Sequence, residues 1–295
     1  MPSNSPRRRF RFSLRTLLAM VVVVAVPLAW VAKERRQSAY EREFAEQLRQ
    51  AGSQVRLAGP YESWKQALKS QPWWHDLPRH AIGERIYQIG RTSPQFEDLM
   101  SLTTLTNLRV LQLDGTQVND LTPLAEFTNL EYLCLDSTPL SDLTLLAGLT
   151  KLESLSLRYT QVSDLKPLAR HSGLKNLEFE KTKVSDLAPL ARLTNLGSLY
   201  LSHTPVSDLT PLAGLTNLYR LSFINTQVSD LTPLARLTNL AQLYLENTQV
   251  SDLKPLFGLT KLQELRLKGS PVIKEQVEAL QKALPKCKIL HDPFP

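Results

Sequence analysis

The sequence predicts an α/β solenoid preceded by an N-terminal transmembrane helix. In it, stacked coils each give one short strand to a parallel β-sheet on a concave face and one short 3₁₀ or helical segment to a convex face. Three observations predict this. The first is a period: the phrase L-x-x-L-x-L-x-x-T-x-V-S-D-L-x-P-L-A-x-L-T-N recurs eight times in steps of 22 residues, its first leucine falling at Leu108, Leu130, Leu152, Leu174, Leu196, Leu218, Leu240 and Leu262. A unit this short cannot bury its own apolar side and does so against its neighbours. The second is the leucine spacing inside each unit, and the third is an apolar run flanked by arginines near the start of the chain.

In L-x-L, as at Leu133-Cys134-Leu135, alternate side chains point the same way, which is the period of a strand. Eight such strands stacked in register make a parallel sheet. Later in the unit the leucines are spaced by three, as at Leu209, Leu212 and Leu215, which suits a single 3₁₀ or helical turn. Pro123, Pro167, Pro189, Pro211, Pro233 and Pro255 each stand three residues after an aspartate. That is the first turn of such a segment, where a missing N–H costs little. The result is a leucine-rich repeat solenoid whose product is a surface and not a pocket.

At its cleanest, from Leu218, the unit reads LYRLSFINTQVSDLTPLARLTN. It resembles the 22-residue leucine-rich repeats of the bacterial internalin-like class, strongly from Leu108 to about Ser270. The resemblance implies the fold and says little about function. One departure is consistent: where the class usually has asparagine, this chain has Thr116, Thr138, Thr160, Thr182, Thr204, Thr226 and Thr248, then Ser270. A hydroxyl bonds a neighbouring backbone group but lacks the reach of an amide, so a thinner hydrogen-bond ladder is expected.

At the front of the array, Asp98, Leu99, Leu102, Leu105 and Leu108 match Asp120, Leu121, Leu124, Phe127 and Leu130 position for position, and upstream of Asp98 the match degrades. This is read as an irregular first coil. After Ser270, Ile273 to Leu284 has helical spacing and ends at Pro285, and Lys288-Ile289-Leu290 offers a last strand. Terminal repeats must cover an open apolar edge, so this stretch is read as a C-terminal cap.

From Leu17 to Ala32 the chain is apolar for 16 residues, preceded by Arg7, Arg8, Arg9, Arg11 and Arg15 and followed by Lys33, Arg35 and Arg36. A membrane core needs about 20 residues, so the run reaches across once Thr16 and a snorkelling Arg15 are counted. A cleaved signal peptide competes, but Pro27 and Trp30 occupy the positions that a small-x-small cleavage site requires. The stretch from Arg9 to Leu18 also resembles the start of short membrane-anchored bacterial proteins that carry such repeats. The expected organisation is therefore a basic segment at 1–16, a transmembrane anchor at 17–36, a juxtamembrane helix and N-terminal cap at 37–85, the solenoid at 86–270 and the C-terminal cap at 271–295.

Charge follows that division. Residues up to Arg56 hold 11 Lys+Arg and 4 Asp+Glu, so the net charge of +7 belongs to them, and the remainder balances. The solenoid is accordingly not expected to bind nucleic acid. Flanking basic residues tie the topology rule, with five on each side of the apolar run. The order of basic segment, apolar core and soluble domain is that of a signal-anchor, which places the N-terminus in the cytoplasm and the repeats outside it, in a bacterial envelope. Beyond the anchor, Ser38 to Gln50 reads as a charged helix, and Trp64, Trp73 and Trp74 read as a cap over the first coil or as rings at the bilayer interface.

No phosphate loop, nucleophile elbow or zinc-spaced Cys/His cluster is present, so neither catalysis, nor a cofactor, nor a small-molecule substrate is expected. His75 and His80 lack a neighbouring third ligand. The column Asp120, Asp142, Asp164, Asp186, Asp208, Asp230 and Asp252 could suggest a calcium ladder. Each aspartate, however, stands where the following segment needs an N-cap, and is expected to spend its oxygens on backbone N–H groups. Cys134 and Cys287 lie at least six coils apart, roughly 29 Å at about 4.8 Å per coil, too far for an intrachain disulfide.

What remains is recognition of a protein or extended peptide on the concave face. The residues between the inward leucines form one column of Gln112, Cys134, Ser156, Glu178, Tyr200, Ser222, Tyr244 and Arg266, and a second of Asp114, Asp136, Arg158, Glu180, Ser202, Ile224, Glu246 and Lys268. The consensus does not dictate these positions, which leaves them free to carry specificity. Tyr200, Arg220, Ser222 and Tyr244, with Arg158 and Glu178, are the candidate protein-binding residues, because tyrosine and arginine offer large contact area with a polar handle. The alternatives are a structural envelope component that packs against its own copies and a cytoplasm-facing regulatory scaffold.

Overall fold

The computed structural model describes residues 26–50, 52–58, 85–90 and 99–294 apart from 106, 117 and 119. Two compact units are present, 1–47 with 57–86 and 48–56 with 87–295.

Helix α1 spans Val26–Gln50, so the end of the apolar run and the charged stretch share one helix. This differs from the expected helix beginning at Ser38. No Gly or Pro separates Leu28 from Gln50, so nothing breaks the backbone pattern between them. Ser38, Glu41 and Ala45 are buried at helical spacing, and Glu41 accepts a hydrogen bond from Gln37 Nε2 at 3.0 Å. Among the described residues no helix is long and apolar enough to cross a membrane. Of the predicted anchor at 17–36, residues 17–25 lie outside the described residues, as do Trp64, Trp73, Trp74, His75 and His80, and residues 26–36 fall on α1.

The sheet has eleven strands in sequence order: β1 (Gln54–Ala58), β2 (Arg85–Gly90), β3 (Val110–Gln112), β4 (Tyr132–Cys134), β5 (Ser154–Ser156), β6 (Asn176–Glu178), β7 (Ser198–Tyr200), β8 (Arg220–Ser222), β9 (Gln242–Tyr244), β10 (Glu264–Arg266) and β11 (Lys288–Leu290). From β2 onward, neighbours are parallel. The register never slips: Leu111, Leu133, Leu155, Leu177, Leu199, Leu221, Leu243 and Leu265 stand opposite one another and are fully buried. Apart from Val110 and Cys134, the residues on either side of these leucines are polar or aromatic and point the other way, so one face of the sheet is core and the other is open.

The three-residue leucine spacing becomes 3₁₀ turns, as at Lys166–Leu168, Ala188–Leu190, Thr210–Leu212 and Lys254–Leu256, with the proline at the N1 or N2 position. The aspartates act as predicted, one step earlier than an N-cap. In all seven coils the carboxylate accepts the backbone N–H two residues on, at 2.8 to 3.0 Å, and the formal N-cap is the intervening leucine. In Asp120, Asp208 and Asp230 the threonine hydroxyl and then its backbone N–H hold the carboxyl below its ordinary pKa. A depressed carboxyl contributes stability that is complete above its unfolded pKa and is lost as pH falls through the folded value. Asp208→Ala is thus expected to lower the urea midpoint at pH 7, with the gap to wild type closing below about pH 4. A gap that stays constant down to pH 2 would contradict the assignment.

The threonine column behaves as a thin ladder. Thr116, Thr138, Thr160, Thr182, Thr204, Thr226 and Thr248 each donate to the carbonyl three residues back in their own coil, at 2.5 to 2.8 Å. Ser270 alone in this column reaches the preceding coil, donating to Leu245 O at 2.6 Å. Ties between coils come instead from the asparagines before the strands: Asn195, Asn217 and Asn239 donate to Ser172 O, Thr194 O and Thr216 O.

Every regular coil also holds one residue at positive φ just after its strand: Gly115, Ser137, Tyr159, Lys181, His203, Asn225, Asn247 and Gly269. The identity varies and the geometry does not. In the first seven the N–H of this residue bonds a carbonyl of the next coil, as Tyr159 N does Glu180 O at 2.9 Å, which offsets the left-handed backbone.

Helix α2 (Lys274–Ala283) and β11 follow the last regular coil. Val277, Leu280, Leu284 and Cys287 are buried there, and Leu253 N donates to Gln276 Oε1 at 2.8 Å. Cys134 and Cys287 are both free and buried, and burial pushes their thiols up to about 12 and about 11.

Candidate functional site on the open sheet face

The open face divides into two polar groups along the strands. The first centres on Arg158, just past β5. Its Nε lies 2.7 Å from Asp136 Oδ2 and 3.3 Å from Glu178 Oε2, and its Nη1 lies 4.0 Å from Glu180 Oε2. Asp136 is nearly buried and also accepts Ser156 Oγ at 2.6 Å and Arg158 N at 2.8 Å. Burial raises the Glu178 pKa, and Arg158 opposes that rise without cancelling it. Three carboxylates thus surround one guanidinium.

The second group spans β7 to β10. Arg220 Nη1 donates to Tyr200 Oη at 2.9 Å and its Nε donates to Gln242 Oε1. Its guanidinium carbon lies 6.0 Å from the Tyr219 ring centroid. That ring crosses Gly197, one coil earlier, where a β-carbon would come within 2.8 Å of Tyr219 Cε1. Further on, Arg266 sits 4.4 Å over the Tyr244 ring, pairs with Glu264 at 2.8 Å and lies 3.8 Å from Glu246. Tyr244 Oη donates weakly to Glu264 Oε2 at 3.4 Å. Burial and then Glu264 raise the tyrosine's pKa.

Of the six predicted residues, the structure brings Tyr200 and Arg220 into direct contact and sets Tyr244 in the same group. Ser222 is not available as expected: it is 2% exposed and its hydroxyl is shared with Ser202 Oγ at 2.7 Å. Arg158 and Glu178 form a separate cluster and neutralise one another before any partner arrives. Column reading missed Tyr219, Gln242 and Glu264 as neighbours of the tyrosines, while Arg266 stood next to Tyr244 in its column. Tyr219 had one signal in the sequence, a glycine one period before it. Among the described residues no group of three or more His, Cys, Asp or Glu is placed to hold a metal ion.

Residues 128–170 match the family model described as leucine-rich repeats, two copies. No curated protein matches the chain. Among solved structures, internalin C2 of Listeria monocytogenes is 36% identical, with a TM-score of 0.59 over 62% of this chain and 80% of that one. A second Listeria monocytogenes internalin is 26% identical, with a TM-score of 0.61 over 80% of this chain and 75% of that one. A leucine-rich repeat protein of Leptospira interrogans is 28% identical, with a TM-score of 0.61 over 65% of this chain and 51% of that one. With the repeating phrase, the unbroken register and the 3₁₀ turns all in place, the chain belongs to the leucine-rich repeat family, with coils of the internalin type.

Proposed function

We propose that this chain is a membrane-anchored, non-catalytic recognition protein that binds another protein or an extended peptide across its open, concave sheet face. One observation carries the reading: Tyr200, Tyr219, Arg220, Tyr244 and Arg266 converge on one stretch of that face, at positions where the repeat demands nothing in particular. Aromatic and arginine side chains in such a group are the usual bearers of binding energy. The anchor reading rests on the apolar run from Leu17 to Ala32 and its arginine flanks. It places the N-terminus in the cytoplasm and the repeats outside.

Tyr200→Ala and Tyr244→Ala, made separately in the full-length protein, are expected to weaken capture of the natural partner by at least ~1 kcal/mol each while leaving the circular dichroism unchanged. Unchanged affinity in both moves the site off this face. Self-association of the wild type, lost on the same substitutions, supports the envelope-packing alternative instead. The protein itself should fractionate with membranes and resist alkaline carbonate. Release by carbonate removes the integral anchor, and a mature N-terminus near Lys33 establishes a cleaved signal.

A further inference from the structure

In the coils of β3 to β10, every other guanidinium on or beside the strands has a carboxylate within reach: Arg109 has Glu131, Arg158 has Asp136 and Glu178, and Arg266 has Glu264 and Glu246. Arg220 does not. Among the described residues its partners are the neutral oxygens of Tyr200 and Gln242 and the Tyr219 ring, and the groups acting on its charge are Tyr200, Tyr244 and Tyr219. A guanidinium has five N–H donors in a planar fork. Two are used here, which leaves both hydrogens on Nη2 and one on Nη1. One N–H from each Nη forms the end-on edge, which donates two parallel hydrogen bonds to a carboxylate.

We propose that Arg220 is the recognition point for one carboxylate, an aspartate or glutamate side chain on the peptide segment bound across the open face. The proposal rests on the concave-face reading above and names what that face selects. Charge along the sheet fixes the choice of occupant. On one side of Arg220, Arg158 faces Asp136, Glu178 and Glu180, so that flank carries an excess of negative charge, while on the other Arg266 and Lys268 balance Glu246 and Glu264. A lone cation beside an acidic flank suits a single negative charge better than a dianionic phosphate, which that flank would repel. The same flank favours a basic residue on one side of the acidic one. Strands are about 4.8 Å apart and an extended peptide advances about 3.3 Å per residue, so a separation of two coils corresponds to about three residues. The segment this face fits therefore has an acidic residue with a basic residue about three positions away on the Arg158 side.

The probe is the peptide acetyl-Lys-Ala-Ala-Glu-Ala-Ala-Lys-amide, titrated into the full-length protein and followed by the ¹⁵N–¹H signal of the arginine Nε groups. The Glu peptide is expected to bind at least about fivefold tighter than its Gln counterpart, as loss of a charge-assisted pair implies. Arg220→Gln should abolish that preference, and Arg220→Lys should restore part of it. Equal binding of the Glu and Gln peptides to wild type overturns the proposal without needing any variant. If Tyr200→Ala then weakens both equally, the concave-face reading stands and only the carboxylate falls. A preference that survives Arg220→Gln, no binding of either peptide, or tighter binding of a phosphoserine peptide than of the Glu peptide also overturns it.

Discussion

Replacing Leu199 by alanine is expected to destabilise the protein by about 2–5 kcal/mol, the range for removing a large buried aliphatic side chain. Leu199 stands in the middle of β7, fully buried, with Leu177 opposite it on one side and Leu221 on the other. Three successive coils share the packing around it, so the cavity opens in a continuous core and no loop can collapse into it. Gln161, exposed on its turn, provides the control: Gln161→Ala should change stability by no more than about 0.5 kcal/mol. Urea melts of both full-length variants in mild detergent, followed by circular dichroism, decide the matter. Equal losses would mean that the inward and outward faces have been exchanged.

Ending the chain after Ser270 is expected to have a larger effect, because it unmasks the end of the array. The cap buries Val277, Leu280, Leu284 and Cys287, and β11 pairs with β10 along Glu264, Leu265 and Arg266. Each buried aliphatic side chain contributes about 1.5–3 kcal/mol in gross terms, offset in part by the entropy of ordering the cap. Removal also leaves β10 as an open edge with unpaired backbone groups, which invites pairing with another chain. The truncated protein should lose its single cooperative melt and elute from size exclusion as concentration-dependent aggregates. A monomeric, cooperatively melting truncation would show that the eight coils need no cover at this end.

The repeat was legible in the sequence because eight copies of one phrase average out the noise of any single copy. Strand and 3₁₀ turn both follow from leucine spacing alone. The aspartates were legible in role and misplaced by one residue, since the N–H they hold lies two residues on and a leucine intervenes. The left-handed residue after each strand was hidden because Tyr159, Lys181 and His203 give no sign of it. Its geometry is imposed by pairing with the next coil and not by local preference. His171 is a related case: it takes a leucine position in the core, where Nε2 bonds Leu146 O at 2.9 Å and Nδ1 is buried without a partner. At the candidate site, tyrosine and arginine stood out by type. Which of their neighbours were already spent, as Ser222 is on Ser202, depended on contacts 20 residues apart that no local pattern reports.

The constant register has a genetic consequence. Residues 131–152 meet coils on both sides through the same leucine pairings, Leu111 with Leu133 and Leu133 with Leu155. A tandem duplication of that segment would meet the same partners at each new junction, and its excision would bring Leu111 opposite Leu155. Recombination can therefore lengthen or shorten the array in steps of one coil, about 4.8 Å at a time, without inventing a new interface. Point substitution meanwhile acts on the residues between the leucines. The extent of the face and its chemistry are thus separate heritable variables, and each can be altered while the other is held.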